Sequence, residues 1–426
     1  MTPPASPRPA SSRPALSLRT LPMPLPVLIA PAAASTLLAL APIRRPFAAA
    51  TIGWALSMPA VELPVHVGAY VGAMVAPAWV RRLGQGRCQS RGHRRNRRRT
   101  ADLLGGAMAA ATCAGLGVLV ARQLAAAPAL ERTLAEVRGQ VSGENPGTTT
   151  PPPPATRHRV PWPTVLFAPW PGVPRDVRAR RGLVYGPDST ANRCDLYTRN
   201  SAGSAPGRGV LVHIHGGHFR AGGPSRESRA MLFDHASRGW AAISTTYHLS
   251  PTPESGFPQH LVDIKQLIRW IRVEGPAHGI PEDAPIVVAG SSAGAHIAMM
   301  TALTAGDPTY QPGFEDLDTR PAAVIGLYGY YGRLGKATKD ISDPGRLPAE
   351  GAPPVAIIHG TADTYTPVKG SRRLVERLRA GSANPVFYAE LPGAQHGFDA
   401  VRTPRYLAVV AAVAEFTEWV IGQPSA

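Results

Sequence analysis

The chain has 426 residues, a formal net charge of +17 and three cysteines. Residues 1–150 carry 17 Arg and Lys against 5 Asp and Glu, so most of the positive excess belongs to this N-terminal third. Cys88, Cys113 and Cys194 are widely separated and form no C-x-x-C pair, which excludes a cysteine-based zinc site and a disulfide framework.

The N-terminal third predicts a membrane region. Residues 1–26 are rich in Pro, Ser and Arg and are expected to be disordered. Residues 27–130 contain three apolar stretches, near 27–43, 56–80 and 103–121, which we predict to be transmembrane helices. The last has nineteen residues without a charged side chain, just enough to cross the hydrocarbon of a bilayer. A cleavable signal peptide would account for the first stretch but not for the two later ones.

The segment 81–99, between the second and third apolar stretches, contains nine arginines. Such a segment can bind nucleic acid or anionic lipid, or it can be a cytoplasmic loop of a membrane protein. Its position, and the lack of aromatic residues among the arginines, favour the loop. We therefore expect the membrane, and no nucleic acid, as a partner. The protein is predicted to be a multi-pass protein of the cell membrane with an extracytoplasmic C-terminal domain; if 103–121 is not inserted, that domain stays in the cytoplasm.

Residues 131–174 are predicted to be a linker. Four consecutive prolines at 151–154 favour an extended, semi-rigid spacer. Trp162 and Trp170, toward its end, fit either a membrane interface or packing against the domain that follows.

In residues 175–426, short apolar runs alternate with amphipathic stretches. This pattern predicts an α/β domain with a mostly parallel, doubly wound sheet. The predicted strands lie at 192–197, 209–215, 240–247, 285–289, 322–328, 354–359 and 384–391. Apolar residues at helical spacing predict helices at 259–273, 368–379 and 405–421.

The segment from Ala284 to Gly294 reads A-P-I-V-V-A-G-S-S-A-G. A β-branched run, a G-x-S-x-G turn and a helix-compatible segment, in this order, predict a nucleophile elbow that exposes Ser292. The alternative is an ordinary Gly/Ser turn, because the motif is short and the chain is rich in Gly, Ala and Ser. Further residues at other strand ends decide between the two.

Asp363 and His396 each follow a predicted strand. The carboxyl ends of parallel strands share one edge of a sheet, so Ser292, Asp363 and His396 can converge there in the order Ser, Asp, His. A serine hydroxyl needs an imidazole to take its proton, and the imidazole needs a carboxylate to hold its tautomer. Asp399 is the rival acid. Asp363 is favoured because it lies just after a predicted strand.

A glycine pair follows another predicted strand. The backbone N–H groups of Gly216 and Gly217, together with that of Ala293 after the elbow, are predicted to form an oxyanion hole.

Several histidines near these motifs suggest a metal cluster, and they are His213, His215, His218, His248 and His260. No carboxylate or cysteine completes such a site in the sequence pattern, so structural histidines are favoured. We expect no metal.

Together the motifs resemble the α/β-hydrolase superfamily, in particular its hormone-sensitive-lipase-like carboxylesterases and lipases. The shared motifs are H-G-G-H at 215–218, Y-H-L-S-P at 247–251, G-S-S-A-G-A at 290–295, H-G-T-A-D at 359–363 and Q-H-G-F at 395–398. The resemblance implies Ser292 as nucleophile, His396 as general base and Asp363 as its orienting acid. It also implies a small-molecule or lipid ester as substrate and no cofactor. Two departures are Ser291, where relatives often have Asp, and His248, where they commonly have Arg.

The predicted function is therefore a membrane-anchored carboxylic ester hydrolase. An amidase or aryl-formamidase of the same fold is an alternative, because the three catalytic residues do not distinguish an amine from an alkoxide leaving group. A non-catalytic membrane interaction protein on a hydrolase scaffold is a second alternative, and the complete set of catalytic residue types argues against it.

Overall fold

The computed structural model describes residues 23–84, 93–142, 159–200 and 207–422. A region of helices comes first, and an α/β domain follows. The helices are α1 (Leu25–Leu40), α2 (Phe47–Glu62), α3 (Pro64–Gly84), α4 (His93–Leu124) and α5 (Ala126–Ser142). Positions 1–22 of the predicted disordered segment, residues 85–92 of the arginine-rich segment and the proline run at 151–154 lie outside the described residues.

Helices α1 and α4 pack side by side through small residues. A Cβ atom added to Gly105 of α4 would lie 2.7 Å from Cγ of Leu25, and one added to Gly115 would lie 2.7 Å from Cγ2 of Thr36. The earlier glycine of α4 thus lies beside the earlier residue of α1, and the later glycine beside the later residue, with similar spacing in both helices. The two helices therefore run in the same direction, at a distance that only glycine permits.

Helix α3 runs against α4. Gly68, near the start of α3, lies beside Leu116 in the second half of α4. The Nε2 atom of Gln123, at the end of α4, donates to the carbonyl oxygen of Val61, just before α3 begins. Helix α3 thus leads away from the α/β domain and α4 returns to it.

The described helices offer fewer membrane spans than the sequence predicts. By length and composition, one helical stretch in the described ranges, Thr100–Val141, is able to cross a bilayer. The pair Phe47–Glu62 and Pro64–Pro77 adds a second only if it counts as one span despite its 84° bend. Helix α1 has sixteen residues, fewer than the about 20 of a typical span. The predicted stretch 56–80 is divided because Pro64 disfavours helical geometry in the residue before it.

Helix α5 differs from the predicted linker. Leu130, Leu134 and Val137 recur at helical spacing and are buried in the same cluster as Phe387 and Leu391 of the sheet. The first part of the segment 131–174 is therefore a helix packed on the α/β domain, because its apolar side chains form one stripe that the sheet covers.

The α/β domain is built on an eight-stranded sheet with the strand order β1-β2-β4-β3-β5-β6-β7-β8. The strands are β1 (Val177–Val184), β2 (Arg193–Arg199), β3 (Val210–Ile214), β4 (Ala241–Thr245), β5 (Ile286–Ser291), β6 (Ala323–Leu327), β7 (Val355–Gly360) and β8 (Val386–Leu391). Strands β1 and β2 pair antiparallel at one edge, and the six others are parallel.

Helices cover both faces of this sheet. They are α5 and the helices α7 (Arg229–Ser237), α8 (Gln259–Val273), α9 (Ala293–Leu303), α10 (Lys369–Gly381) and α11 (Pro404–Ile421); a short helix, α6 (Trp162–Phe167), precedes the domain. Alternate residues of β5 face opposite layers: Ile286 and Val288 pack in the cluster with α8, α9 and α10, whereas Val287 and Ala289 pack in the cluster with α5, α7 and α11. The strands are apolar throughout because both faces are buried.

The sequence locates most of this domain correctly. Helix α8 has the predicted bounds 259–273, and the predicted strands agree with β2 to β8 within a few residues. Two elements are missing from the prediction, β1 and α7. Strand β1 reads V-R-A-R-R-G-L-V, and an arginine-rich edge strand gives no buried-strand signal.

Candidate active site

Ser292 lies on a sharp turn between β5 and α9. Its φ and ψ are 56° and −115°, a combination that residues with a side chain rarely adopt. A Cβ added to Gly290 would lie 2.2 Å from the carbonyl oxygen of Gly294, and one added to Gly294 would lie 2.0 Å from that of Ile214. Both positions therefore require glycine, and the turn that they permit presents the hydroxyl group of Ser292 above the sheet edge.

The three residues predicted to converge do so. Oγ of Ser292 lies 2.9 Å from Nε2 of His396, and Nδ1 of His396 lies 2.8 Å from Oδ2 of Asp363. Ser292 follows β5, Asp363 follows β7 and His396 follows β8, so the parallel strand ends bring them together. The three side chains are buried or nearly so, with 7%, 1% and 6% exposure. The arrangement can move a proton from the serine to the imidazole.

Asp363 is held by its own loop. Its Oδ1 accepts hydrogen bonds from the backbone N–H groups of Tyr365 and Thr366, and Nε2 of His359 lies 3.3 Å from its Oδ2. Burial by itself raises the pKa of Asp363, but the charge of His396 and the hydrogen bonds from His359 and His396 outweigh burial and lower the pKa well below its usual range. The carboxylate therefore stays ionised beside the imidazole.

Asp399, the rival acid, contacts the elbow and not the imidazole. Its carboxylate accepts hydrogen bonds from the hydroxyl groups of Tyr328 and Ser228, and Oγ of Ser291 lies 2.7 Å from its Oδ2. Burial, and then the charge of Glu227, raise the pKa of Asp399 to about 6, although these hydrogen bonds lower it in part. Asp399 thus supports the turn that carries Ser292 from beneath.

The predicted oxyanion donors are not equivalent. The N–H group of Gly216 donates to Oε1 of Glu227, so it is already paired with a buried carboxylate. This corrects the expectation that Gly216 faces the substrate. Among the described residues, the N–H groups of Gly217, His218 and Ala293 have no hydrogen-bond acceptor.

The backbone turns sharply at this strand end. Gly217 has a φ of 118°, and an added Cβ would lie 1.6 Å from the carbonyl oxygen of Ala221. Only glycine fits there, and the next residue, His218, also has a positive φ of 59°. The sequence pattern identifies the glycine pair, but not the carboxylate that takes one of the two N–H groups.

The histidines of the suspected metal cluster have structural partners. Nε2 of His213 lies 3.0 Å from Oγ of Ser291, and His215 contacts the hydroxyl group of Thr246. His248 lies between Asp188 and Asp263, at 3.1 and 2.7 Å. The two departures from the family pattern, Ser291 and His248, are thus each paired with a carboxylate.

The N-terminal helices contribute to the site, which the sequence did not indicate. Nε1 of Trp54, in α2, donates to the carbonyl oxygen of His396 over 2.9 Å. The ring of Tyr365 lies against His396 with centroids 4.9 Å apart, and its centroid is 5.5 Å from those of both Phe47 and Trp54. Helix α2 therefore forms one wall of the site.

An open cleft of about 600 Å³ adjoins this wall. One side consists of the segment from Arg44 to Phe47, and the other of Thr364, Tyr365 and Pro367. The second side belongs to the loop that begins with Asp363, so the cleft is continuous with the loop that orients His396.

A mostly parallel sheet with a serine at a strained strand–helix turn, and an aspartate and a histidine at two further strand ends, defines an α/β-hydrolase. Residues 194–334 match the BD-FAE family. This part of the chain is therefore similar to BD-FAE domains, which are hormone-sensitive-lipase-like α/β-hydrolases.

Curated relatives agree with this class. The chain is similar to the probable carboxylic ester hydrolase LipM of Mycobacterium tuberculosis, with 32% identity over 57% of this chain and 61% of LipM. It is similar to esterase LipQ of the same organism, with 33% identity over 57% of this chain and 62% of LipQ. For esterase LipC the identity is 35%, over 52% of this chain and 60% of LipC. The chain thus spans about three-fifths of the length of these relatives.

Solved structures share the fold. Esterase B from Lactobacillus rhamnosis superimposes with a TM-score of 0.50 and 18% identity, over 68% of this chain and 96% of that one. A truncated carbohydrate esterase from gut microbiota also gives 0.50 and 18%, over 58% and 99%. At this identity the likeness concerns the fold alone.

Proposed function

We propose that this chain is a serine hydrolase that cleaves carboxylic esters through an acyl-enzyme. The observation that carries the proposal is the continuous hydrogen-bonded path from Ser292 through His396 to Asp363, with distances of 2.9 and 2.8 Å. The path begins at Ser292, whose strained backbone angles at the turn between β5 and α9 are typical of a nucleophile elbow. The relatives named as esterases support the same reaction.

In the first half-reaction, Oγ of Ser292 attacks the ester carbonyl carbon while Nε2 of His396 takes the hydroxyl proton. Asp363 stabilises the imidazolium that forms, because it is ionised and bonded to the opposite ring nitrogen. The imidazolium then gives its proton to the alkoxide, the C–O bond breaks and the alcohol leaves. In the second half, a water molecule gives a proton to His396 and attacks the acyl carbon. The imidazolium returns that proton to Oγ of Ser292 as the acyl–Oγ bond breaks, which releases the acid.

The negatively charged oxygen of the tetrahedral intermediate needs N–H donors that are not already bonded to another acceptor. Gly217 and Ala293 supply two N–H groups, and the N–H group of His218 takes the role predicted for Gly216. Loss of one such donor costs about 10²–10³ in kcat in comparable sites. Glu227 serves the site indirectly, because its bond to Gly216 fixes the turn that presents the next two N–H groups.

The direct test uses Ser292→Ala in the full-length protein, with Ser189→Ala, an exposed serine on the same domain, as control. Wild type and control are expected to hydrolyse a chromogenic short-chain ester and to bind a fluorophosphonate probe covalently. Ser292→Ala is expected to do neither. Unchanged hydrolysis by Ser292→Ala would refute the proposal. Turnover of an aryl formamide above that of the matched ester would assign the same site to amides.

We also infer that the protein is anchored in a membrane with its α/β domain on the extracytoplasmic side. Large apolar side chains exposed on the N-terminal helices support this; they include Val27, Leu37, Ile52, Leu56, Leu103, Leu104 and Val118. The direction of α3 and α4 also supports it, since the arginine-rich segment 81–99 connects the ends remote from the α/β domain. Reporter fusions after Ala121 and at Ala426 are expected to report an outside location. A cytoplasmic signal from both would overturn the orientation.

A further inference from the structure

Helix α2 is fixed to the α/β domain at its middle and at its C-terminal end. Near its middle, Trp54 donates a hydrogen bond to the carbonyl oxygen of the catalytic His396. At its C-terminal end, Glu62 forms an ion pair of 3.0 Å with Arg405 of α11, and both residues are buried. Gln123 adds a hydrogen bond to the carbonyl oxygen of Val61. The segment 44–46, just before α2, is therefore held in place beside the site.

This segment lines the cleft next to the site and carries positive charge. Arg44 and Arg45 line the cleft of about 600 Å³, directly opposite Thr364 and Tyr365 of the catalytic loop. Both arginines are exposed, and neither forms an ion pair with a carboxylate in the described part of the chain. Asp363 directly precedes Thr364 and Tyr365 on the other side of the cleft. It does not pair with these arginines, because it is 1% exposed and already bonded to His396. The cleft thus presents unpaired positive charge opposite a loop whose Tyr365 ring lies against His396.

The rest of the cleft is apolar and aromatic. Phe47 and Tyr365 face each other with ring centroids 5.5 Å apart, and Tyr365 in turn lies against His396. An open cleft of this volume can accommodate one end of a small-molecule substrate. Its chemistry suits a substrate with an apolar part near the aromatic rings and a negative group near the guanidinium groups, which bind carboxylate or phosphate oxygens in pairs.

We propose that Arg44 and Arg45 form a subsite for a negatively charged group of the ester substrate, so that the enzyme prefers esters with a carboxylate or phosphate away from the scissile bond. This inference rests on the proposed ester hydrolysis and names the substrate class for that site. The N-terminal region then has a second role, because it supplies the residues that select the substrate.

The test compares two soluble esters of similar chain length with the same chromogenic leaving group, the neutral butyrate and the hemisuccinate. The full-length protein is assayed in a neutral detergent. In the double variant Arg44→Gln/Arg45→Gln, kcat/KM for the hemisuccinate is expected to fall about tenfold, because two exposed charge-assisted contacts are lost. The value for the butyrate is expected to stay within about twofold of wild type, and added salt should reduce the wild-type preference.

The matched control is Arg178→Gln/Arg181→Gln, which removes the same charge from the exposed edge strand β1. It is expected to leave both esters unaffected. An equal loss on both esters in the cleft variant, or the same selective loss in the control, would overturn the subsite. Unchanged hemisuccinate turnover in the cleft variant would also overturn it, and would leave Arg44 and Arg45 as contacts of anionic lipid headgroups.

The two proposals fail in different ways. If neither ester is hydrolysed and Ser292 takes up no fluorophosphonate, the proposed function is wrong and the subsite falls with it. If Ser292 is labelled and the butyrate is hydrolysed, but Arg44→Gln/Arg45→Gln does not alter selectivity, only the subsite is wrong.

Discussion

The loop edge of the sheet and helix α2 meet at His396, but they hold the site by different forces. At the sheet edge, buried polar groups form a dense network in which Asp363 alone accepts two backbone N–H bonds and contacts two histidines. Helix α2 contacts the loops at the strand ends through aromatic rings and the indole hydrogen bond of Trp54, and it contacts α11 through a buried ion pair. In the proposed function the sheet edge carries the reacting groups, while α2 forms one wall of the site.

The largest expected effect separates the two buried carboxylates of the sheet edge. Asp363→Asn is expected to lower kcat about 10⁴-fold, because an amide stabilises the wrong tautomer of His396. Asp399→Asn is expected to lower kcat less than about tenfold, because Asp399 contacts Ser291 and Tyr328 and not the imidazole. Steady-state kinetics on a neutral ester measures both. Equal losses would show that Asp399 takes part in orienting His396.

The ion pair of α2 is expected to affect stability and not chemistry. Arg405→Met leaves Glu62 buried without its partner, which costs about 3–5 kcal/mol in the free energy of unfolding. The double variant Glu62→Met/Arg405→Met removes both charges and is expected to recover most of this loss. Thermal unfolding of the three proteins in one detergent measures the difference. A double variant as unstable as the single one would show that the packing of α2, and not the charge, is the cause.

The pH dependence of stability distinguishes Asp399 from Asp363. The pKa of Asp399 is raised from an ordinary 3.8 to about 6, so folding takes up a proton between these values. Its contribution to stability is full below about pH 4 and is lost as the pH rises through 6. The pKa of Asp363 is lowered, so its contribution to stability is lost as the pH falls, at pH values below the ordinary pKa of an aspartate. The melting temperature of wild type relative to Asp399→Asn is therefore expected to decline between pH 4 and 7; a constant difference would contradict the raised pKa.

The smallest expected effect concerns Trp54. Trp54→Phe removes the hydrogen bond to His396 but keeps a ring, and it is expected to lower kcat about two- to fivefold with KM unchanged, as one hydrogen bond is worth about 1 kcal/mol. Trp54→Ala also removes the ring and is expected to lower kcat further. Leu56→Ala, an exposed residue of the same helix, is the control. If Trp54→Ala changes the melting temperature but leaves kcat unchanged, α2 covers the site without positioning His396.

Much of the site is predictable because its residues belong to local motifs. Ser292, Asp363 and His396 each follow a strand with a clear apolar signal, and parallel topology brings such strand ends together whatever the intervening sequence. The glycines at 290, 294 and 217 mark tight turns in the sequence, because a turn that has no room for a Cβ atom accepts only glycine. The three predicted spans stay a prediction, and apolar composition does not reveal the bend between α2 and α3.

The amino-acid sequence alone predicts the α/β fold, the strands β2 to β8 in chain order and the three side chains that meet at the sheet edge, since hydrophobic periodicity and turn chemistry are local. Tertiary structure decides the rest. The hydrogen bonds from Gly216 to Glu227, from Ser291 to Asp399 and from Trp54 to His396 join residues 11, 108 and 342 positions apart. Such pairs have no local signature, because a hydrogen bond between residues distant in sequence depends on packing that no single segment specifies.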